Sequence, residues 1–182
     1  MNTRTVGRPE PDEIPSYYVG YVERVPELDP VMVCAAQIED TATLLRGLSD
    51  TEAMYRYGRG KWSVKEVVGH LADTERIMAY RALRIARGDS TPLPGFDESA
   101  YVPAAKFDSR SLADLVGEFR TVRAATLALL RTFDADAWPR RGTASGKPIS
   151  VRALAFVIPG HERHHLEILR TRYGVTGGGL SS

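Results

Sequence analysis

The sequence predicts an all-α protein, a four-helix bundle with long connections and an extended N-terminal arm. Three observations predict it. Four segments carry apolar residues at helical spacing, each begins at a capping residue, and no stretch of useful length alternates as a strand does. The 182 residues suit one domain with a core of its own.

Residues 1–29 form the arm. "PEPDEIPSYYVGYVERVPELDP" is rich in prolines that break helices, so one short turn around Tyr17–Val22 is the most regular structure expected there. Its tyrosines are placed to pin it onto the main body. The bundle follows over 30–174.

The first helix spans about 30–48. Asp29 caps it, Pro30 suits its first turn, and Val31, Cys34, Ile38, Ala42 and Leu45 mark its apolar stripe. Cys34, the single cysteine, reads as a small buried residue rather than a reactive thiol. The second helix spans about 64–87, opened by a capping box in which Ser63 pairs with Glu66. A long polar loop with several prolines, "GDSTPLPGFDESAYVPAAKFDS", comes next. The third helix, about 110–132, starts from the Ser109–Ser111 region. A second connection, "DADAWPRRGTASGKPIS", is full of Gly, Ser and Pro.

The fourth helix spans about 151–172, capped by Ser150 and stopped by Gly174. Pro159 lies inside it and withholds a hydrogen bond from Ala155, so a bend is expected just before a cluster of histidines. Residues 175–182, "VTGGGLSS", are expected to be a flexible tail.

The totals exclude several classes. Lys and Arg number 24 against 23 Asp and Glu, a net charge of +1, which argues against a nucleic-acid surface. No apolar run approaches the ~20 residues of a membrane span. The N-terminus lacks a signal-peptide core. A single cysteine allows no intrachain disulfide, so a reduced, cytoplasmic setting is expected.

Three of the four histidines fall in "IPGHERHHLEIL", residues 158–169. His161 and His165 are four apart and share one inward face. His70 stands at the edge of the second helix's stripe. Two imidazoles from one helix and one from another give three nitrogen ligands for a metal and leave positions open for water or substrate. The spacing leaves His164 open as an alternative to His165. His161 to His165 also spells H-E-x-x-H, the zinc-protease motif in which Glu162 would be the general base. That reading fails here, because no third ligand follows and no strand could hold a peptide. Glu162 then reads as a solvated helix residue, with a place beside the metal left open.

Other candidates follow from position. Asp73, three residues after His70, could accept its far N–H or could be a plain exposed acid. Glu75, Arg76, Arg81 and Arg84 read as solvated faces or ion pairs between helices. Trp62 and Tyr80 read as core. In the loop "PGFDESAY", Asp97 and Tyr101 could wall a pocket, with Arg140 or Arg141 at its mouth to receive a carboxylate.

The stretches "RPEPDEIPSYYVGYV", "GKWSVKEVVGHLADTERIMAYRALRIARGD", "PLPGFDESAYV" and "RRGTASGKPISVRALAFVIPGHERHHLEILRTRY" resemble the DinB-like superfamily, in its YfiT-like branch, over about residues 8–173. The resemblance implies a four-helix bundle, a homodimer, and a divalent metal on three histidines: His70 in "GHLADTE", and His161 and His165 in "GHERHH". It favours His165 over His164. It implies chemistry on a small molecule. The order of expectation is an S-transferase using a low-molecular-weight thiol, then a hydrolase of a small ester or amide, then a non-catalytic metal-binding or stress-response module. Zn²⁺ and Ni²⁺ are the leading metals, since imidazole does not separate them strongly. Asp73, Glu162 and Arg141 are the candidate catalytic residues.

Overall fold

A computed structural model describes residues 6–180 and is built of helices with one small hairpin. Four long helices make the bundle: α2 (Pro30–Leu45), α3 (Val64–Ala86), α5 (Leu112–Leu130) and α6 (Val151–Thr171). Each begins where its cap predicts. Asp29 Oδ1 accepts from the Val31 and Met32 N–H groups at 3.0 and 3.2 Å. Ser63 and Glu66 close a capping box, Ser111 accepts from the Asp114 N–H, and Ser150 from the Ala153 N–H. α3 packs on both α5 and α6, and α2 closes the other side against the same two. α6 runs unbroken through Pro159, whose carbonyl accepts from Gln37 Nε2 at 3.1 Å.

Three expectations are corrected. The connection after α5 holds a hairpin, β1 (Arg141–Ala144) paired antiparallel with β2 (Lys147–Ser150). Ser145 and Gly146 make its turn with φ of 51° and 73°, as a two-residue hairpin loop requires. The hairpin is too short to show a period, and it is held by non-local bonds to Leu93, whose N–H donates to the Thr143 carbonyl at 2.8 Å. The loop after α3 contains a helix, α4 (Glu98–Ala105), capped by Asp97. Its Pro103 hid it from a reading based on breakers. Residues 175–180 are packed: Val175 is buried, bridges to Leu180, and the chain passes so close to Gly47 that a Cβ there would meet the Gly178 Cα at 2.7 Å. Ser181 and Ser182, with residues 1–5 of the arm, lie outside the described residues.

The arm is partly helical, with 3₁₀ turns at Pro11–Glu13 and Ser16–Tyr18 and a short helix α1 (Val19–Glu23). It lies on α6. Glu13, buried, accepts from Ser150 Oγ at 3.0 Å and from Arg152 Nε at 2.6 Å. Gly160 makes the docking possible, since a Cβ there would stand 2.0 Å from the Tyr21 carbonyl oxygen. Among the described residues no helix is long and apolar enough to cross a membrane.

Two glycines in helix interiors should therefore respond with opposite sign. At Gly117 of α5 an added Cβ meets nothing within 4 Å, so Gly117→Ala should stabilise by up to about 1 kcal/mol. Gly160→Ala should cost about 1–3 kcal/mol, because the atom it strikes is backbone and cannot step aside. Urea denaturation of the two variants measures both signs.

Candidate metal centre

α3 and α6 carry the histidines. His70 follows the buried run Val67–Gly69, where Gly69 lets the Phe107 ring lie against the helix. His161 and His165 occupy one face of α6, and all three rings are buried. Their Nε2 atoms converge: His161 Nε2 lies 3.0 Å from that of His70 and 3.1 Å from that of His165. Thr74 Oγ1 lies 3.4 Å from His70 Nδ1. Trp62 packs on His70 with ring centroids 4.7 Å apart, and Tyr21 meets His161 edge-on at 5.3 Å.

Burial lowers the pKa of His70 to about 4 and takes those of His161 and His165 well below 6.5, with neighbouring histidines adding to the effect. The rings are therefore neutral at neutral pH, the form that binds metal. Hydrogen bonding alone does not satisfy the arrangement. A neutral imidazole nitrogen has either one proton or one lone pair to offer, yet His161 Nε2 faces two others. One cation shared by all three would satisfy them together. Nitrogens about 2.1 Å from a tetrahedral ion stand roughly 3.4 Å apart, close to what is seen. The donor set fits a divalent transition metal.

Beneath the histidines lies a charged cluster. Arg123 of α5 donates through Nε and Nη2 to the two oxygens of Glu75 on α3, each at 2.8 Å. Nη2 also reaches Glu162 Oε2 on α6 at 2.8 Å, and Nη1 the Cys34 carbonyl on α2 at 2.8 Å. Gln37 and Thr41 of α2 complete the shell of Glu162. The three charged side chains are only 1–4% exposed. Glu162 is thus not the solvated residue expected, whereas Glu75 takes the second of its two expected places, an ion pair between helices. With both oxygens of Glu162 committed to Arg123, Gln37 and Thr41, it is not placed as a general base. Cys34 is buried, and desolvation pushes its thiol up to about 12, as a structural cysteine requires.

A cavity of about 370 Å³ opens beside the three rings. The long loop does supply a wall, but through Phe96 and Glu98 rather than Asp97 and Tyr101. Asp97 is spent capping α4, and Tyr101 is exposed beside Phe96. Trp62, expected in the core, lines this cavity, while Tyr80 is exposed. Asp73 pairs with Arg76 at 3.2 Å, and Thr74 takes the place beside His70 that was one of the two open to Asp73. Burial outweighs Arg76 and raises the Asp73 pKa. Arg141 pairs with Asp12 of the arm and Arg140 donates to the Ala86 carbonyl, so neither stands at the cavity mouth. His164 packs against Tyr21 at the rim.

A family model of the DinB superfamily matches residues 35–169. The chain belongs to the DinB superfamily. Two solved structures share this DinB fold. YfiT from Bacillus subtilis, described as a probable metal-dependent hydrolase with an unusual four-helix bundle topology, aligns with a TM-score of 0.69 and 18% identity, over 93% of this chain and 95% of that one. The mycothiol-dependent maleylpyruvate isomerase aligns with a TM-score of 0.65 and 15% identity, over 85% of this chain and 63% of the other, so this chain spans less than two thirds of its length. No curated protein sequence matches.

Two outcomes are expected. Arg123→Met strands two buried carboxylates and should cost about 3–5 kcal/mol in urea denaturation at pH 7, part of which a companion Glu75→Gln should restore. In metal-free protein the unfolded chain protonates His70 near 6.5 but the folded chain only near 4. The contribution of this group is therefore flat above 6.5 and falls as pH drops from 6.5 towards 4. His70→Ala should make the stability profile shallower over that window.

Proposed function

We propose that His70, His161 and His165 hold a divalent transition-metal ion, Zn²⁺ or Ni²⁺. On this reading the protein is a metal-dependent enzyme acting on a small molecule, foremost an S-transferase that uses a low-molecular-weight thiol. The observation that carries it is the convergence of three buried, neutral imidazole nitrogens at the edge of a cavity of about 370 Å³. When bound, such an ion lowers the pKa of a thiol or a water brought to it.

The surrounding residues favour the thiol. A thiol starts near pKa ~8.5 and needs little further help, whereas water starts near ~15.7 and gains from a base. Glu162 is locked, and Glu98 is the only carboxylate among the described residues lining the cavity. Trp62 and Tyr21 shield His70 and His161 from bulk water. The likeness to a mycothiol-dependent isomerase supports the same reading. Hydrolysis of a small ester or amide is the second reading, supported by the likeness to YfiT. The homodimer that the resemblance implies, and the cytoplasmic setting expected from the single cysteine, are carried as part of the proposal.

Metal content of purified protein should fall to near zero in His70→Ala and in His161→Ala. Full retention in both would remove the site. Metal-loaded protein should be stabilised in a thermal-shift screen by at least one of mycothiol, bacillithiol, glutathione and coenzyme A. Stabilisation by none, with turnover of an ester, amide or lactone panel, would replace the transferase with the hydrolase. Neither response would leave a non-catalytic metal-binding module.

A further inference from the structure

Arg81 of α3 is 2% exposed, and none of its partners among the described residues is a carboxylate. Nη1 donates to Tyr18 Oη at 3.3 Å. Nη2 donates to the Pro94 carbonyl at 2.7 Å and to Ser145 Oγ at 3.0 Å. The guanidinium carbon lies 5.6 Å from the centre of the Phe96 ring. A guanidinium keeps its charge when buried, and burial without a counter-charge is costly. The other fully buried arginine, Arg123, is met by two glutamates. Arg81 is met by hydroxyls, and those hydroxyls belong to residues that line the histidine cavity.

Each hydroxyl accepts from Arg81, so its own proton points elsewhere. That of Tyr18 reaches only Met78 Sδ at 3.7 Å, a weak acceptor. Burial raises the Tyr18 pKa to about 12, so the proton stays on the oxygen. Ser145 Oγ makes no other hydrogen bond among the described residues. Ser145 also holds a left-handed backbone conformation, φ 51°, which glycine would adopt with less strain. What serine adds at that position is the hydroxyl. The turn is anchored by the Ser145 N–H donating to the Leu93 carbonyl at 3.0 Å, so the hydroxyl has a fixed place.

We infer that Tyr18 and Ser145, backed by Arg81, form an anion-recognition wall that takes a carboxylate on the small molecule entering the cavity. The two hydroxyls donate to the carboxylate and Arg81 acts through them, while the carboxylate supplies the counter-charge that the site of Arg81 lacks. The inference rests on the proposed function only in taking this cavity as the reaction site. Anion binding at the wall needs no metal.

Calorimetric titration of the full chain, stripped of metal by chelation, tests it with benzoate and its neutral isostere benzamide. Benzoate should bind at least about tenfold more tightly than benzamide. Tyr18→Phe and Ser145→Gly should each weaken benzoate by about tenfold and leave benzamide unchanged. Arg81→Gln should weaken benzoate further. If Arg81→Gln fails to fold, the two hydroxyl variants still decide the matter, since neither removes packing of consequence. Equal affinity for benzoate and benzamide would overturn the inference, as would unchanged benzoate affinity in both hydroxyl variants. So would benzoate binding that requires loaded metal and disappears in His161→Ala. A chain that binds benzoate but no metal keeps the wall and removes the metal reading.

Discussion

Arg123 is the point on which the bundle turns. A single guanidinium takes a carboxylate from α3, a carboxylate from α6 and a backbone carbonyl from α2, while its own stem belongs to α5. The hydrophobic effect is non-directional and by itself favours no one rotation of a helix. A buried, hydrogen-bonded ion cluster does favour one, because any shift strands a charge. Glu162 is the residue after His161, and Glu75 is the residue after Thr74, which sits beside the His70 ring. Fixing the rotation of α3 and α6 through Arg123 thus aims the histidines. The cluster contains two carboxylates and one guanidinium, so it also leaves an excess negative charge beneath the site proposed for a cation.

The helices, their caps and the histidine face were legible in the sequence because each is a local signal. Asp29, Ser63 and Ser150 act over three or four residues, and so does the spacing of His161 and His165. The hairpin and α4 were not legible, because a short strand has no period and α4 carries a proline. The burial of the charges was only partly legible: Glu75 was open to an ion pair between helices, Glu162 was expected in solvent, and Arg123 carried no local motif. Glu75 stands four residues after Leu71 and three before Met78. Arg123 stands four after Phe119 and three before Thr126. Glu162 stands four after Ile158 and four before Leu166. All three therefore occupy core positions of their helices by the same periodicity that placed the leucines. Charged residues of opposite sign at core positions of different helices are a signal for a buried pair.

Arg81 and Ser145 show where such a rule stops. Arg81 also lies three residues after Met78 on the α3 face, but its partners come from the arm, the loop at Pro94 and the hairpin turn. Nothing local joins those segments. They meet because Leu93 bonds to Thr143 and Ser145, on either side of Ala144, and because the arm lies on α6. Loops and termini supply most of the cavity's polar atoms outside the histidines, while the bundle supplies rigidity.

The seat of the arm on α6 bears on the order in which the molecule is built. Tyr18 and Tyr21 leave the ribosome well before Gly160 and His161, on which Tyr21 rests. Contacts of such long separation form late, after shorter-range helix pairings have paid most of the chain entropy. The wall of the cavity that the arm provides is therefore among the last parts to assemble. The charged core and the histidines wait for the same helix, since Glu162 reaches Gln37 across 125 positions, so neither they nor the cavity lining can close before α6 has been made.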